Sequence, residues 1–232
     1  MTTILLHAIG LDAGSWRFAD IPGAVAMDMP GFGEQPLPPG GLKETEMADD
    51  IVRRAPAGPL DVVGVSMGGQ VAMLIGLRHP DRVRSLVVAN TGPAANPEVM
   101  RQRAAAVRAD MEGQIEVTLQ RWFTEEALTS DHPAVRYARD RLRRNDPEAF
   151  AAGWEAIAEH DVRACLGELR VPVTVIAGTV DRAGPVEHVR EIHAAIPGSR
   201  FVVLEGPHIL YMEFPERFRA AVQEHLEWVS RS

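Results

Sequence analysis

A serine flanked by glycines, Gly64-Val65-Ser66-Met67-Gly68, carries the clearest chemical signal in the chain. It follows the apolar run Leu60–Val65, which reads as a strand. It precedes Met67–His79, which reads as a helix stopped near Pro80. A strand that turns straight into a helix must bend sharply, and glycines on both sides of the serine remove Cβ atoms from the bend. The hydroxyl then projects beyond the strand end, and the helix N-terminus favours negative charge developing there. Ser66 is therefore the expected nucleophile, with the backbone N–H of Met67 as one donor to an oxyanion. Without the strand and helix around it, the pentapeptide would be only a glycine-rich turn.

A serine hydroxyl is a weak nucleophile until a base takes its proton. The chain has eight histidines. His79, His132, His160, His188, His193 and His225 lie in or beside polar helical patterns, where a solvated face accounts for them. His7 ends the first strand. His208 follows the last strand, in Leu204-Glu205-Gly206-Pro207-His208. Where a serine stands on such an elbow, an acid and then a histidine follow it in chain order. His208 and His225 lie beyond every plausible acid in that order, and His225 falls inside the closing helix, so His208 is the expected base. Asp181, in Gly178-Thr179-Val180-Asp181, follows another strand end and lies between Ser66 and His208. It is expected to orient the imidazole and stabilise its protonated form; otherwise it is a turn aspartate. Asp161 satisfies the order but lies in a helical stretch, and Asn90, after the strand Val83–Ala89, carries no charge. The second oxyanion donor is expected from His7-Ala8-Ile9-Gly10, with the Ile9 N–H facing Ser66.

These residues need a sheet that presents several strand ends at one edge. Short apolar runs at Ile4–His7, Val25–Met29, Leu60–Val65, Val83–Ala89, Val171–Gly178 and Arg200–Leu204 read as strands. Helical patterns at Thr45–Ala55, Met67–His79, Val186–Ile196 and Pro215–Val229 alternate with them. Continuous apolar strands imply a sheet covered on both faces. The expected fold is α/β, with a mostly parallel, doubly wound sheet. From about Gly92 to Leu169 there is no strand signal. This stretch is helical and arginine-rich, with Trp122, Phe123, Phe150 and Trp154 spread through it. It reads as a cap (92–169) inserted into a core made of 1–91 and 170–232. It is placed to cover the sheet edge where open α/β sheets bind ligands.

Composition narrows the function. With 46% hydrophobic and 24% charged residues, the chain is an ordinary globular one. A net charge of -8 argues against nucleic acid as a partner and gives no electrostatic help toward anionic lipid. Cys165 is the single cysteine, so neither an intramolecular disulfide nor a cysteine metal site can form. No apolar run has transmembrane length, and Met1–Leu6 lacks the basic region and cleavage site of a signal peptide. A cytoplasmic location is the expectation. No metal or organic cofactor is implied, and no motif encodes an oligomeric state.

The motifs together identify the chain as resembling the α/β-hydrolases, and among them the 3-oxoadipate enol-lactonases. The resemblance covers nearly the whole chain. Leu5-Leu6-His7-Ala8-Ile9-Gly10-Leu11-Asp12 through Trp16 is similar to the family's oxyanion loop, and Gly64-Val65-Ser66-Met67-Gly68-Gly69 to its nucleophile elbow. Ala89-Asn90-Thr91 resembles the strand end before the cap. Arg121-Trp122-Phe123-Thr124 and the stretch from Ala156-Ile157 through Asp161-Val162-Arg163 resemble runs within and after the cap. Family members usually begin with a two-stranded leader that this sequence lacks, so a sheet shorter at one edge is expected. Ala8 replaces a usual glycine or serine, and Gly206-Pro207 replaces the small residues before the histidine.

The resemblance implies a small-molecule ester or lactone as substrate, opened through an acyl-enzyme. Arg121 is either a partner for a substrate carboxylate or a solvated arginine, and Trp122 either a pocket wall or cap core. A carboxylesterase, thioesterase or C–C hydrolase would use the same triad, since fold does not fix substrate. A non-catalytic ligand receptor on the same fold is the alternative of another class.

Overall fold

A computed structural model describes residues 1–231. Six strands form one sheet in the order β2-β1-β3-β4-β5-β6: β1 (Thr2–Leu6), β2 (Val25–Met27), β3 (Leu60–Val65), β4 (Val83–Ala89), β5 (Val173–Gly178) and β6 (Arg200–Leu204). Every neighbouring pair is parallel. The interior strands β3 and β5 are buried along their whole length, whereas the edge strands β2 and β6 are partly exposed. That is why β3 and β5 read as largely apolar runs, each with one polar residue (Asp61, Thr174), and β6 as a more mixed one.

Helices α1 (Glu44–Arg54), α2 (Met67–Arg78), α8 (Val186–Ala195), α9 (Leu210–Glu213) and α10 (Pro215–Arg231) belong to the sheet segments. Between β4 and β5 come five helices and no strand: α3 (Pro97–Ala109), α4 (Met111–Trp122), α5 (Glu125–Thr129), α6 (Pro133–Arg144) and α7 (Pro147–Ala158). Side chains of Asn96, Asp110, Thr124, His132 and Asp146 cap these five helices in turn, each accepting a backbone N–H of the first turn. Pro97, Pro133 and Pro147 stand at helix starts, where no N–H is missed. The short α9 and a single turn of tight helix at Ala13–Arg17 carry no clear periodicity, and the sequence gives no forewarning of either.

The strand order reverses between β1 and β3. The chain leaves β1 toward β2 and leaves β3 toward β4, so the loops after β1 and β3 diverge and open a crevice at their C-terminal ends. The pairing Leu6↔Gly64, Val65↔Ala89, Ala89↔Ile176 and Gly178↔Leu204 aligns those ends in one row. His7, Ser66, Asn90, Asp181 and His208 all follow them.

Candidate active site

Ser66 stands at the turn between β3 and α2 with φ 56° and ψ −124°, a conformation that a side chain rarely adopts. Holding it costs about 1–3 kcal/mol. The surroundings impose it: Ser66 N donates to Ala89 O at 2.9 Å, and its carbonyl accepts Gly69 N at 2.8 Å and Gln70 N at 3.1 Å. A Cβ on Gly64 would overlap the Gly68 carbonyl, and one on Gly68 would overlap the carbonyls of Leu6 and His7. The glycines therefore let three backbone segments meet at the elbow. The Met67 amide opens α2, where no intrahelical acceptor exists for it.

His208 and Asp181 come from the loops after β6 and β5. Asp181 Oδ2 lies 2.8 Å from His208 Nδ1, and its Oδ1 accepts Ala183 N at 2.7 Å and Gly184 N at 2.9 Å. Both side chains are buried. A carboxylate only accepts, so Nδ1 carries the proton and Nε2 is left with its lone pair. Ser66 and His208 line one cavity of about 260 Å³. No hydrogen bond joins their side chains among the described residues. Such bonds often tighten only around substrate.

Asn90 carries no charge and so is no candidate acid in the sequence. The structure gives it another place. It sits at φ 49°, is buried, donates through Nδ2 to Pro207 O at 3.0 Å and His208 O at 2.7 Å, and accepts Gly178 N at 2.8 Å. It ties the end of β4 to the loops that carry both Asp181 and His208. An asparagine tolerates this left-handed backbone better than most residues, which is the one signal the sequence offered. The next residue, Ile209, donates to Trp122 O at 3.1 Å, so the histidine loop is also held from the helical side.

His7 is fully buried; its Nδ1 lies 2.8 Å from Ala8 O, and its Nε2 accepts Met29 N at 3.1 Å. Burial lowers its pKa, so it is a neutral brace for the loop that contains Ile9. The Ile9 side chain is buried and does not line the cavity; a Cβ on Gly153 of α7 would press on it. Arg121, Trp122, Arg103 and Trp154 form the helical wall of the cavity, and His188 of α8 also reaches it. Three histidines thus depart from the solvated faces read in the sequence. His188 meets the cavity, while His160 and His225 are buried, His160 against Glu44 at 2.6 Å and His225 against Thr174 at 2.8 Å. Helical periodicity cannot distinguish a polar residue with a buried partner from one facing water. Asp161, the rival acid, is exposed and pairs with Arg163 at 2.5 Å. Among the described residues, no group of three His, Cys, Asp or Glu side chains is arranged to hold a metal ion. No helix among them is long and apolar enough to cross a membrane.

Known proteins resemble this chain in sequence and fold. An α/β hydrolase fold family model matches residues 4–215. The chain is 28% identical to 3-oxoadipate enol-lactonase 2 of Acinetobacter baylyi, over 95% of this chain and 86% of that protein. It is 31% identical to a pimeloyl-[acyl-carrier protein] methyl ester esterase of Neisseria meningitidis, over 87% of this chain and 81% of that one. The crystal structure of the enol-lactonase from Burkholderia xenovorans superposes with a TM-score of 0.93 at 28% identity, covering 97% of this chain and 91% of that chain. The chain belongs to the α/β hydrolase fold family.

Proposed function

We propose that the protein is a carboxylic ester hydrolase in which Ser66 is the nucleophile, His208 the general base and Asp181 the orienting acid. The observation that carries this reading is the buried His208–Asp181 pair opening on the same cavity as the strained Ser66. Ser66 Oγ attacks the acyl carbon while His208 Nε2 takes its proton. The tetrahedral oxyanion is held by the amides of Met67 and Ile9, at about 3–4 kcal/mol per donor in a comparable case. The C–O bond to the leaving alcohol then breaks, and His208 returns the proton to the departing oxygen. In a lactone that oxygen stays attached to the acyl chain. His208 next draws a proton from water, whose oxygen attacks the acyl-enzyme and releases the acid and Ser66. Residues 92–169 act as a cap on a core of 1–91 and 170–232. The Arg121 guanidinium and Trp122 ring wall the acyl pocket.

The substrate class favoured is a small lactone of the 3-oxoadipate enol-lactone type. The enol-lactonase relatives align across nearly the whole chain, and an arginine wall suits an anionic lactone. A carboxylesterase acting on a linear ester is the second reading, supported by the methyl ester esterase relatives at similar identity. A receptor without turnover is less favoured, because it has no need of an activated serine.

Steady-state hydrolysis separates these readings. The panel is para-nitrophenyl acetate and butyrate, a simple γ-lactone, and enzymatically generated 3-oxoadipate enol-lactone, each with wild type and Ser66→Ala. Selective turnover of the enol-lactone, lost in the variant, is the expected result. Ester turnover alone would move the assignment to a carboxylesterase. Absence of any Ser66-dependent turnover would refute the hydrolase reading for these substrates.

A further inference from the structure

Arg103 of α3 and Arg121 of α4 both line the cavity that contains Ser66 and His208, and no aspartate or glutamate lines it. Neither arginine has a carboxylate partner among the described residues. The contrast with their neighbours is sharp. On α3 Arg101 pairs with Glu159 and Arg108 with Glu148 and Glu155, and on α6 Arg139 and Arg143 pair with Glu116 and Glu112 of α4. Arg141 reaches across to Asp12 at 2.9 Å. Acids are therefore plentiful on these helices, and the two cations turned into the cavity are left without one.

What holds them is weak or apolar. The Arg103 guanidinium carbon lies 4.9 Å from the Trp154 ring centroid, and its Nη1 is 3.9 Å from the Met100 sulfur. Arg121 Nη2 donates to Thr118 Oγ1 at 3.3 Å. Both are half-buried. Burial, and then the charge of Arg121, push the Arg103 pKa down to about 10, and burial lowers that of Arg121. Both remain charged at neutral pH. Two partly desolvated cations facing one cavity with no counter-ion oppose folding, and such charges are normally paired. An anion placed between them would relieve both desolvation and mutual repulsion.

Building on the Ser66 hydrolase reading, we propose that Arg103 and Arg121 jointly clamp a carboxylate on the acyl portion of the substrate, which is therefore an ester or lactone of a short dicarboxylic acid. A carboxylate presents two oxygens in a plane, and a guanidinium fork can donate to both. Two forks on adjacent helices fix the acyl chain at its charged end while its carbonyl meets Ser66. A cavity of about 260 Å³ restricts the chain to a few carbons. Trp154 keeps the Arg103 plane in place without neutralising it, as a ring face does for a cation.

The test compares two substrates of matched shape, the para-nitrophenyl half-ester of glutaric acid and para-nitrophenyl valerate, with wild type, Arg103→Gln, Arg121→Gln and Arg103→Lys. Wild type is expected to prefer the glutarate half-ester. Each glutamine variant should lower the kcat/KM ratio of half-ester to valerate by roughly tenfold or more. The loss should appear in KM, and Arg103→Lys should recover part of it. Thermal melts identify a variant that has failed to fold, and Arg103→Lys then still reports on the fork. An unchanged ratio, with turnover that depends on Ser66, would overturn the clamp and leave the hydrolase intact. If neither ester is turned over, calorimetric titration with glutarate decides. Binding by wild type that weakens in the glutamine variants supports the clamp, and equal or absent binding refutes it.

Discussion

The sheet side of the cavity and its helical side treat polar groups in opposite ways. On the sheet side Asp181 divides its oxygens between His208 and two backbone amides, and Asn90 engages its oxygen and its amide hydrogens across three loops. On the helical side Arg103 and Arg121 carry charge with no counter-ion among the described residues. A satisfied network fixes atoms to within the small tolerances that proton transfer and attack require. An unsatisfied one keeps interaction energy in reserve for a ligand. On the proposed reading the difference gives chemistry to the strand ends and selectivity to the helices between β4 and β5, and each assignment can be broken separately.

The largest effects should come from the strand ends. Ser66→Ala is expected to lower kcat by roughly 10⁴- to 10⁶-fold, with His208→Ala close to it, and the double variant no worse than either. Additive losses in a kinetic cycle would mean that the two do not act as a unit. Asp181→Asn keeps the shape but offers the imidazole a wrong partner, and a kcat loss of about 10⁴-fold is expected.

Asn90 sharpens the same contrast, because it touches no reacting atom. Asn90→Ala should lower kcat by about ten- to hundredfold through displacement of the His208 loop, with KM for neutral esters little altered. Asn90→Asp should be worse, since a carboxylate oxygen would face the carbonyls of Pro207 and His208. A loss of stability without any loss of kcat in the folded fraction would reduce Asn90 to a structural brace.

The helical side should respond in KM. Arg121→Gln should raise KM for an anionic lactone by roughly tenfold, and more than for a neutral ester. Equal changes on both would sink its role in recognition.

The smallest effect lies away from both walls. Burial lowers the His225 pKa from 6.5 to about 4, and that of His7 in the same direction. Their contribution to stability is complete above the unfolded value. It falls as pH drops from about 6.5 toward 4, because the unfolded chain then binds the protons. Melting curves across that range should show a loss on the order of 2 kcal/mol, reduced in His225→Gln. Acid inactivation that runs ahead of this melting belongs to the site; inactivation that tracks it belongs to the fold.

Much of the strand-end region was legible in the sequence. Buried central strands must be continuous apolar runs, and Leu60–Val65 and Val83–Ala89 coincide with β3 and β4. Ser66, Asp181 and His208 follow from strand ends and chain order, and the register gathers those ends. Asn90 was not legible, because a neutral amide acquires a role only through three loops far apart in sequence. Arg103 was hidden for a related reason. In an arginine-rich helix, only the partners distinguish a cation turned inward from its solvated neighbours. His160 and His225 read as surface residues because Glu44 and Thr174, which bond their Nδ1 atoms, are more than 50 residues away.

The most direct test of the central claim is covalent labelling of Ser66 with a fluorophosphonate, read by intact mass and peptide mapping. The account predicts one adduct per chain on the peptide containing Ser66, formed in step with loss of ester hydrolysis and abolished in both Ser66→Ala and His208→Ala. A wild-type chain that hydrolyses esters yet takes no label at Ser66, or is labelled elsewhere, would contradict it.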